Sequence, residues 1–544
     1  MKRSYLTSLL GVLLVLTMLL GGCAPQVAPT EPAKPSEPTP TPPQETHLRI
    51  AYHRDFDNLY PGATTNLPNI MVNFLLYDGL VIHDNNGQLR PLLAKEWKLS
   101  DDGKVYTFYL RDDVYFHSGN KFTAKDVKAH FDNWKKLPSA GKIRLLERTV
   151  VVDDYTVECH LSSPSLVFLT MITQTEWAYG GIPEAAMVEK FGDAYGTVPE
   201  SISGTGPFKL HEWVRGDRVT LVKNEQYTWG SPAFKNTGPA HIDKVTFFTM
   251  PESATRTAAL ETGTVDMDLS VSPQDAVILQ GTPGITVFTM AKQSANQIGF
   301  NMSDPLLQED AVRFAFAYAI NQQDIIDIAW NGFAEPVTGF WHNAVEGHTP
   351  DAEIASYHRQ NDPEKAKQIL EEAGWKLASD GKRYKDGKPL EMNILVYSGV
   401  QSDISQVVQE QVRQVGITLT MTALDLAAIQ DMIRQNKHQL RYVDGSHSTA
   451  DFAYWYITDS IPLPNYLYWS DETYDRLFQI TQTTIDNNER VKAFQDIEKR
   501  ILETQVLVPM PHHTWIVAHR DFVEIEGFNA IQGIYKLMDT KIKQ

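Results

Sequence analysis

Two cysteines and sixteen histidines are what the 544 residues offer for nucleophilic or metal chemistry, and their spacing limits what they can do. Cys159 precedes His160 in Thr156-Val157-Glu158-Cys159-His160-Leu161, a run with the alternation of a β-strand. Neighbours on a strand point to opposite faces, so the two cannot work as nucleophile and base. Cys159 therefore reads as a buried structural thiol. His512 and His513, after Pro509-Met510-Pro511, are the one adjacent histidine pair, and on a strand they too face opposite ways. The sequence has no Gly-x-Ser-x-Gly elbow, no His-Glu-x-x-His and no phosphate loop ending in Gly-Lys-Ser/Thr. Ser203-Gly204-Thr205-Gly206 is glycine-rich, but Pro207 lacks the amide a phosphate cradle would use. The chain is read as a non-enzyme with no cofactor and no resident metal.

The elements that position these residues alternate between strand and helix. Leu48 to Tyr52 reads as an opening strand, and Val105 to Leu110 alternates after an Asp102-Gly103 turn. Thr123 can cap a helix with Asp126 three residues on, placing Val127, Phe131 and Trp134 on one face. Asp362-Pro363 opens another helix that Gly374 closes. Ile404, Val408 and Val412 stripe a third, which ends at Gly416 and leads into a strand over 417–421. This rhythm predicts a mixed α/β protein with open sheets.

Hydrophobic content of 42% and charged content of 21% suit a large buried core. Net charge is −18, or −20 without Lys2 and Arg3, which argues against nucleic-acid binding. At the amino end, Lys2 and Arg3 precede an apolar run over 9–20 that is too short to span a bilayer, then Leu20-Gly21-Gly22-Cys23. That ending resembles the lipobox of bacterial lipoproteins, with Cys23 as the acylated mature amino terminus. Acylation of Cys23 leaves Cys159 no disulfide partner. Residues 24–46 hold eight prolines and read as a disordered tether reaching about 70 Å when extended.

A longer resemblance begins at Leu76-Tyr77-Asp78-Gly79-Leu80 and Pro91-Leu92-Leu93-Ala94-Lys95-Glu96-Trp97. It continues through Tyr106-Thr107-Phe108, Phe116-His117-Ser118-Gly119 and Phe122-Thr123-Ala124-Lys125-Asp126-Val127. Gly204-Thr205-Gly206-Pro207, Lys223-Asn224 with Tyr227-Thr228-Trp229, and Leu260-Glu261-Thr262-Gly263-Thr264-Val265-Asp266 follow in order. So do Tyr318-Ala319-Ile320-Asn321, Ala373-Gly374-Trp375 and Asp386-Gly387-Lys388-Pro389-Leu390. Together they resemble the bacterial family 5 extracellular solute-binding proteins, the peptide, nickel and opine receptors of ABC importers.

That resemblance implies an α/β, class II periplasmic-binding-protein-like fold with three lobes, closing over a solute by a hinge. The implied organisation is a signal over 1–22, acylated Cys23 and tether over 23–46, and lobe I over 47–79. Lobe II then spans 80–203, lobe I resumes over 204–293, lobe III spans 294–514, and 515–544 return to lobe I. Dipeptide receptors of the family carry an Asp-Pro-Asp element where this chain has Thr449-Ala450-Asp451, which keeps only the second acid. Asp451 is then either an anionic anchor for a ligand amine or a turn residue, and Thr449, Ser446 and His447 flank it. Trp341 and His342 fall where the family has a pocket loop, with an aromatic face for stacking. Asn301 lies near the lobe junction, as a ligand contact or as a structural hydrogen-bonding residue.

The implied role is a monomeric, exported, membrane-anchored receptor, on the outer face of the cytoplasmic membrane or in the periplasm, that delivers a peptide-like solute to an ABC permease. The solute alternatives are an oligosaccharide or a nickel or other metal chelate, the chelate being held by His342 or His447. A reading from another class is an extracellular hydrolase or a chaperone-like lipoprotein on the same scaffold.

Overall fold

The computed structural model describes residues 45–64, 66–84, 87–175, 178–291, 295–342, 345–397, 399–445, 449–526 and 537–543; the side chains of 291 and 449–451 lie outside the description. Cys23, the signal and all but the last residues of the tether also lie outside it, as do Ser446 and His447.

Three sheets organise the chain. An eight-stranded sheet runs in the order Ile285–Ala291, His512–Arg520, Met267–Asp268, His47–Tyr52, Lys244–Thr249, Arg218–Lys223 and Phe208–Val214, with Ala334–Glu335 added beside His512–Arg520. A four-stranded antiparallel sheet consists of Ala94–Leu99, Val105–Leu110, Thr156–Leu161 and Leu146–Asp153. A five-stranded sheet orders Thr418–Ala423, Glu391–Val396, Leu440–Val443, Gln297–Phe300 and Leu507–Pro509. The fold is thus mixed α/β, with helices packed on the third sheet by Val312, Phe316, Leu370, Ile404, Val408 and Val412, all buried. Among the described residues no helix is long and apolar enough to cross a membrane.

Local chemistry sets these boundaries. In Val105–Leu110 alternate residues are buried, and Gly103 supplies the positive φ (+70°) of the turn before it. The Asp126 carboxylate accepts from the Thr123 amide at 2.9 Å and starts the helix Ala124–Trp134. The Asp362 carboxylate caps Pro363–Glu372 by accepting from the Lys365 amide at 2.9 Å.

The segment Leu76-Tyr77-Asp78-Gly79-Leu80 resolves into one buried node. The Asp78 carboxylate is wholly buried and accepts from the Thr205 hydroxyl (3.0 Å), the Trp229 indole (3.1 Å) and the Tyr227 hydroxyl (3.3 Å). The Trp229 indole also donates to the Thr205 carbonyl at 3.1 Å. For this to form, the 204–206 backbone must lie against the end of the helix Leu67–Leu76. A Cβ on Gly204 would sit 2.1 Å from the Leu76 carbonyl oxygen, and one on Gly206 2.3 Å from that of Leu75, so neither position tolerates a side chain.

Removing the carboxylate would strand two hydroxyls inside the core and leave the Trp229 indole only its bond to the Thr205 carbonyl. Asp78→Ala is expected to destabilise the folded chain by about 3 kcal/mol or more. The check is the midpoint of urea unfolding followed by circular dichroism, where an unchanged midpoint would contradict this role.

Candidate functional site

Open α/β sheets bind ligands outside the carboxyl ends of their strands, where the strand order reverses. In the five-stranded sheet, Glu391–Val396 lies parallel to Thr418–Ala423 on one side and to Leu440–Val443 on the other. The chain leaves through the helix Val400–Arg413 to the first neighbour and returns through Leu426–Arg434 to the second. The reversal therefore falls between Tyr397 and Asp444. Gln401 joins these two ends: its amide oxygen accepts from the Tyr397 N–H at 2.9 Å, and its amide nitrogen donates to the Asp444 carboxylate at 2.7 Å.

Beside this crossing, the Arg441 guanidinium lies over the Tyr466 ring at 5.1 Å, with its Nε buried and without a hydrogen-bond partner. The Gln297 amide nitrogen donates to the Tyr466 hydroxyl at 2.9 Å and also to that of Tyr456, while its oxygen is buried with no partner. An unsatisfied donor and acceptor at the same sheet are costly unless something completes them. Burial raises the Tyr397 hydroxyl pKa, with Arg441 and Arg54 pulling it back.

Arg54 comes from the other sheet. His47–Tyr52 lies parallel to both Lys244–Thr249 and Met267–Asp268, so its carboxyl end at His53-Arg54 is the equivalent position there. This end is braced by the buried pair of Arg256 and Asp268 (3.2 Å) and by Arg256 donating to the carbonyls of Met250, Pro251 and Ser270. Burial, with Arg54 and Arg256 nearby, lowers the His53 pKa to about 4 and keeps the ring neutral. Arg54, at the end of that strand, is near enough to Tyr397 to act on its charge.

Two crossings join the sheets. Leu507–Pro509 passes to His512–Arg520 through only Met510 and Pro511. Asn296, fully buried on the other crossing, donates to the Pro511 carbonyl (2.8 Å) and hydrogen-bonds His513 Nδ1 (2.9 Å), and its carbonyl accepts from the Met510 amide (2.8 Å). The crossings are thus clasped to one another. A second contact bridges the far edge. Arg144, beside the four-stranded sheet, lies 5.0 Å from the Tyr454 ring centre and 5.2 Å from that of Phe478, and donates to the Gln482 side chain. Val167 and Met171 share one apolar core with Phe340, Trp341, Phe452 and Phe478.

The sequence candidates scatter around this cleft. Asn301 spends both amide donors, on Asn436 Oδ1 and the His438 carbonyl (each 2.8 Å), and its oxygen accepts from the Ser303 amide and hydroxyl. It locks a loop and has no capacity left for a ligand. Trp341 is buried against Phe340 and Phe452 with its indole N–H unpartnered. His342 stacks on His512 at 5.4 Å, while His513 stacks on Trp330 at 4.8 Å, so the adjacent histidines do diverge. Thr449 and Asp451 lie on the helix Thr449–Trp455, which follows the carboxyl end at Val443. Cys159 is a free, fully buried thiol that burial pushes up to about 12, and His160 faces Glu158 on the other side. Among the described residues no three His, Cys, Asp or Glu side chains are grouped to hold a metal ion.

Sequence reasoning passed over Tyr397, Gln401, Arg441, Arg144 and Glu498. Glu498 is fully buried and accepts 2.8 Å bonds from the amides of Phe340, Trp341 and Thr349, fixing the loop that carries Trp341 and His342. A lone acid among Phe494, Ile497 and Ile501 on one helix face was the available signal.

Comparisons with known proteins bear on the fold and the family. The Salmonella typhi glutathione-binding protein GsiB is 26% identical over 487 residues, covering 86% of this chain and 90% of its own. The ABC transporter-associated periplasmic binding protein DppA from Helicobacter pylori, in complex with peptide STSA, superposes with a TM-score of 0.76 at 23% identity, covering 92% of this chain and 98% of its own. NikA from Brucella suis, in complex with Fe(III)-EDTA, gives 0.79 at 23% identity, with 92% and 100% covered. The profile "Bacterial extracellular solute-binding proteins, family 5 Middle" matches residues 88–475. With that match over most of its length, the chain belongs to the family 5 bacterial extracellular solute-binding proteins, and its role is binding rather than catalysis.

Proposed function

We propose that this protein captures a peptide-like solute between the eight-stranded and five-stranded sheets and presents it to the membrane permease of an ABC importer. The observation that carries this reading is the family match over residues 88–475, on a fold whose two sheets end parallel strands at His53-Arg54 and at Tyr397 and are joined by a pair of clasped crossings. The relatives point the same way, one a glutathione-binding protein and one bound to the peptide STSA.

In this reading the eight-stranded sheet is lobe I (47–79, 204–293 and 515–544), residues 80–203 are lobe II, and 294–514 are lobe III. Asp451 anchors the solute's amine, with Ser446, His447 and Thr449 as further contacts from the same stretch of sequence, and Trp341 and His342 add to the site. Closure depends on how far the solute favours the closed arrangement over the open one. The Arg144 contact with Tyr454, Phe478 and Gln482 holds lobe II against lobe III and favours closure. Diacylglycerol on Cys23 anchors a monomer to the outer face of a membrane, since two chains hold where one does not.

Native mass spectrometry of protein purified without denaturation tests the solute class. A co-purifying ladder of peptide masses is expected, whereas a hexose-spaced mass or a metal chelate would replace the peptide reading. Asp451→Ala is expected to weaken a peptide with a free amine by roughly 2–5 kcal/mol in calorimetry, and an unchanged affinity would exclude that anchor. Arg144→Ala removes a contact of about 1–2 kcal/mol. Its solute-free radius of gyration in X-ray scattering should rise, and an unchanged radius would remove the latch. Cys23→Ser should move the protein from the membrane to the soluble fraction, and persistent membrane association would refute the lipid anchor.

A further inference from the structure

Two stretches of residues 294–514 carry the solute contacts assigned above, the loop bearing Trp341 and the helix Thr449–Trp455, and residues 80–203 approach both. On the helix, the Tyr454 ring lies over Gly141, where a Cβ would stand 3.6 Å from the hydroxyl oxygen and 3.8 Å from Cε1. Arg144, just beyond, lies over the rings of Tyr454 and Phe478. In the loop, Glu498 pins the amides of Trp341 and Thr349, and Arg490 grips Glu346 between them through two bonds of 2.8 and 2.6 Å. Burial lowers the pKa of His83, on the strand Val81–His83, and the nearby Glu346 pulls it back up. Val167 and Met171 are each 3% exposed and join the apolar core of Phe340, Trp341 and Phe452.

A further contact uses a missing side chain. Ile485 is 53% exposed, and a Cβ on Gly103 would fall 2.6 Å from its Cγ2 and 2.9 Å from the Pro164 Cβ. Gly103 holds a φ of +70°, so the turn that needs a glycine also leaves Ile485 a socket. Arg144 and Ile485 both remain exposed, and attraction between a cation and a ring is weak at exposed sites. Contacts of this kind part when domains move. Residues 294–514 are therefore held at two separate places, by the clasped crossings and by this partable surface.

We propose that residues 80–203 form the end wall of the solute site: on closure they cover the Trp341 loop and the helix Thr449–Trp455, so that the protein holds a short peptide and excludes a long one. This size limit rests on the peptide reading and adds to it. Positions three apart on a helix are neighbours, and Asp451 and Tyr454 stand so on Thr449–Trp455. A solute amine bound at the first meets the wall at the second, and the chain cannot continue past it. Residues that never touch the solute, Arg144 and Ile485 among them, then decide its length.

The probes are two random-sequence libraries, tripeptides and octapeptides, offered together at equal concentration to the full chain and read by native mass spectrometry. Tripeptides should be retained at least tenfold over octapeptides. Arg144→Ala with Ile485→Asp changes two exposed side chains and sets an acid against the Asp102-Gly103 turn, and it should cut that preference to less than threefold. Octapeptides retained as well as tripeptides by the unaltered chain, or a preference untouched by the double variant, would overturn the wall. Retention of neither library would count against peptide capture instead, and the wall is then read on the chain itself. Gly141→Cys alone should react with a bulky maleimide at least fivefold more slowly than Gly141→Cys in the double-variant background, and equal rates would overturn the wall.

Discussion

The carboxylate of Asp78 has exchanged its water for a hydroxyl, an indole and a phenol drawn from positions more than 120 residues away. Burial of a charge without partners is prohibitive, so the three donors and the acid must assemble together. Their assembly forces the 204–206 backbone onto the carbonyls of Leu75 and Leu76, where only glycine fits. The strand Phe208–Val214 begins immediately afterwards and is the edge of the eight-stranded sheet. The position at which the chain returns to that sheet is thus fixed by one polar node, and the cleft is built on the sheet so placed.

The cleft itself depends on a different economy of interactions. Each sheet contributes a parallel strand flanked on both sides, which leaves its carboxyl end open to a ligand. Two short crossings connect them, besides the excursion that adds Ala334–Glu335 to the eight-stranded sheet, and Asn296 ties one to the other. A solute that touches both ends adds free energy to the closed arrangement alone, and that difference is what closure can use. In the proposed closure the Arg144 contact with Tyr454 and Phe478 acts on the same balance.

Much of the fold was legible because its signals are local. Gly103 at positive φ, the Thr123–Asp126 cap and Pro363 after Asp362 each act within a few residues, and periodicity placed Ile404, Val408 and Val412 on the buried face of one helix. The glycines at 204 and 206 signalled an unusual path, but not that Asp78 was its cause, since that bond joins positions far apart. The cleft was less legible for the same reason. Arg144 meets Gln482 across 338 residues, and Glu498 reaches Trp341 across 157. Asn301 appeared as a polar residue at a junction, and only its four hydrogen bonds reveal that its capacity is spent. Tyr397 and Asp444 become meaningful once strand order is known, because a topological reversal is a property of the sheet and not of either residue.

Capture between two carboxyl ends makes a spatial claim that hydrogen–deuterium exchange can read directly. Exchange of the full chain should be compared with and without a peptide recovered from the native protein. The account predicts slower exchange in both the segment around His53-Arg54 and the segments around Tyr397 to Gln401 and Arg441 to Phe452. Protection confined to one sheet, or found elsewhere while the peptide is bound, would contradict it.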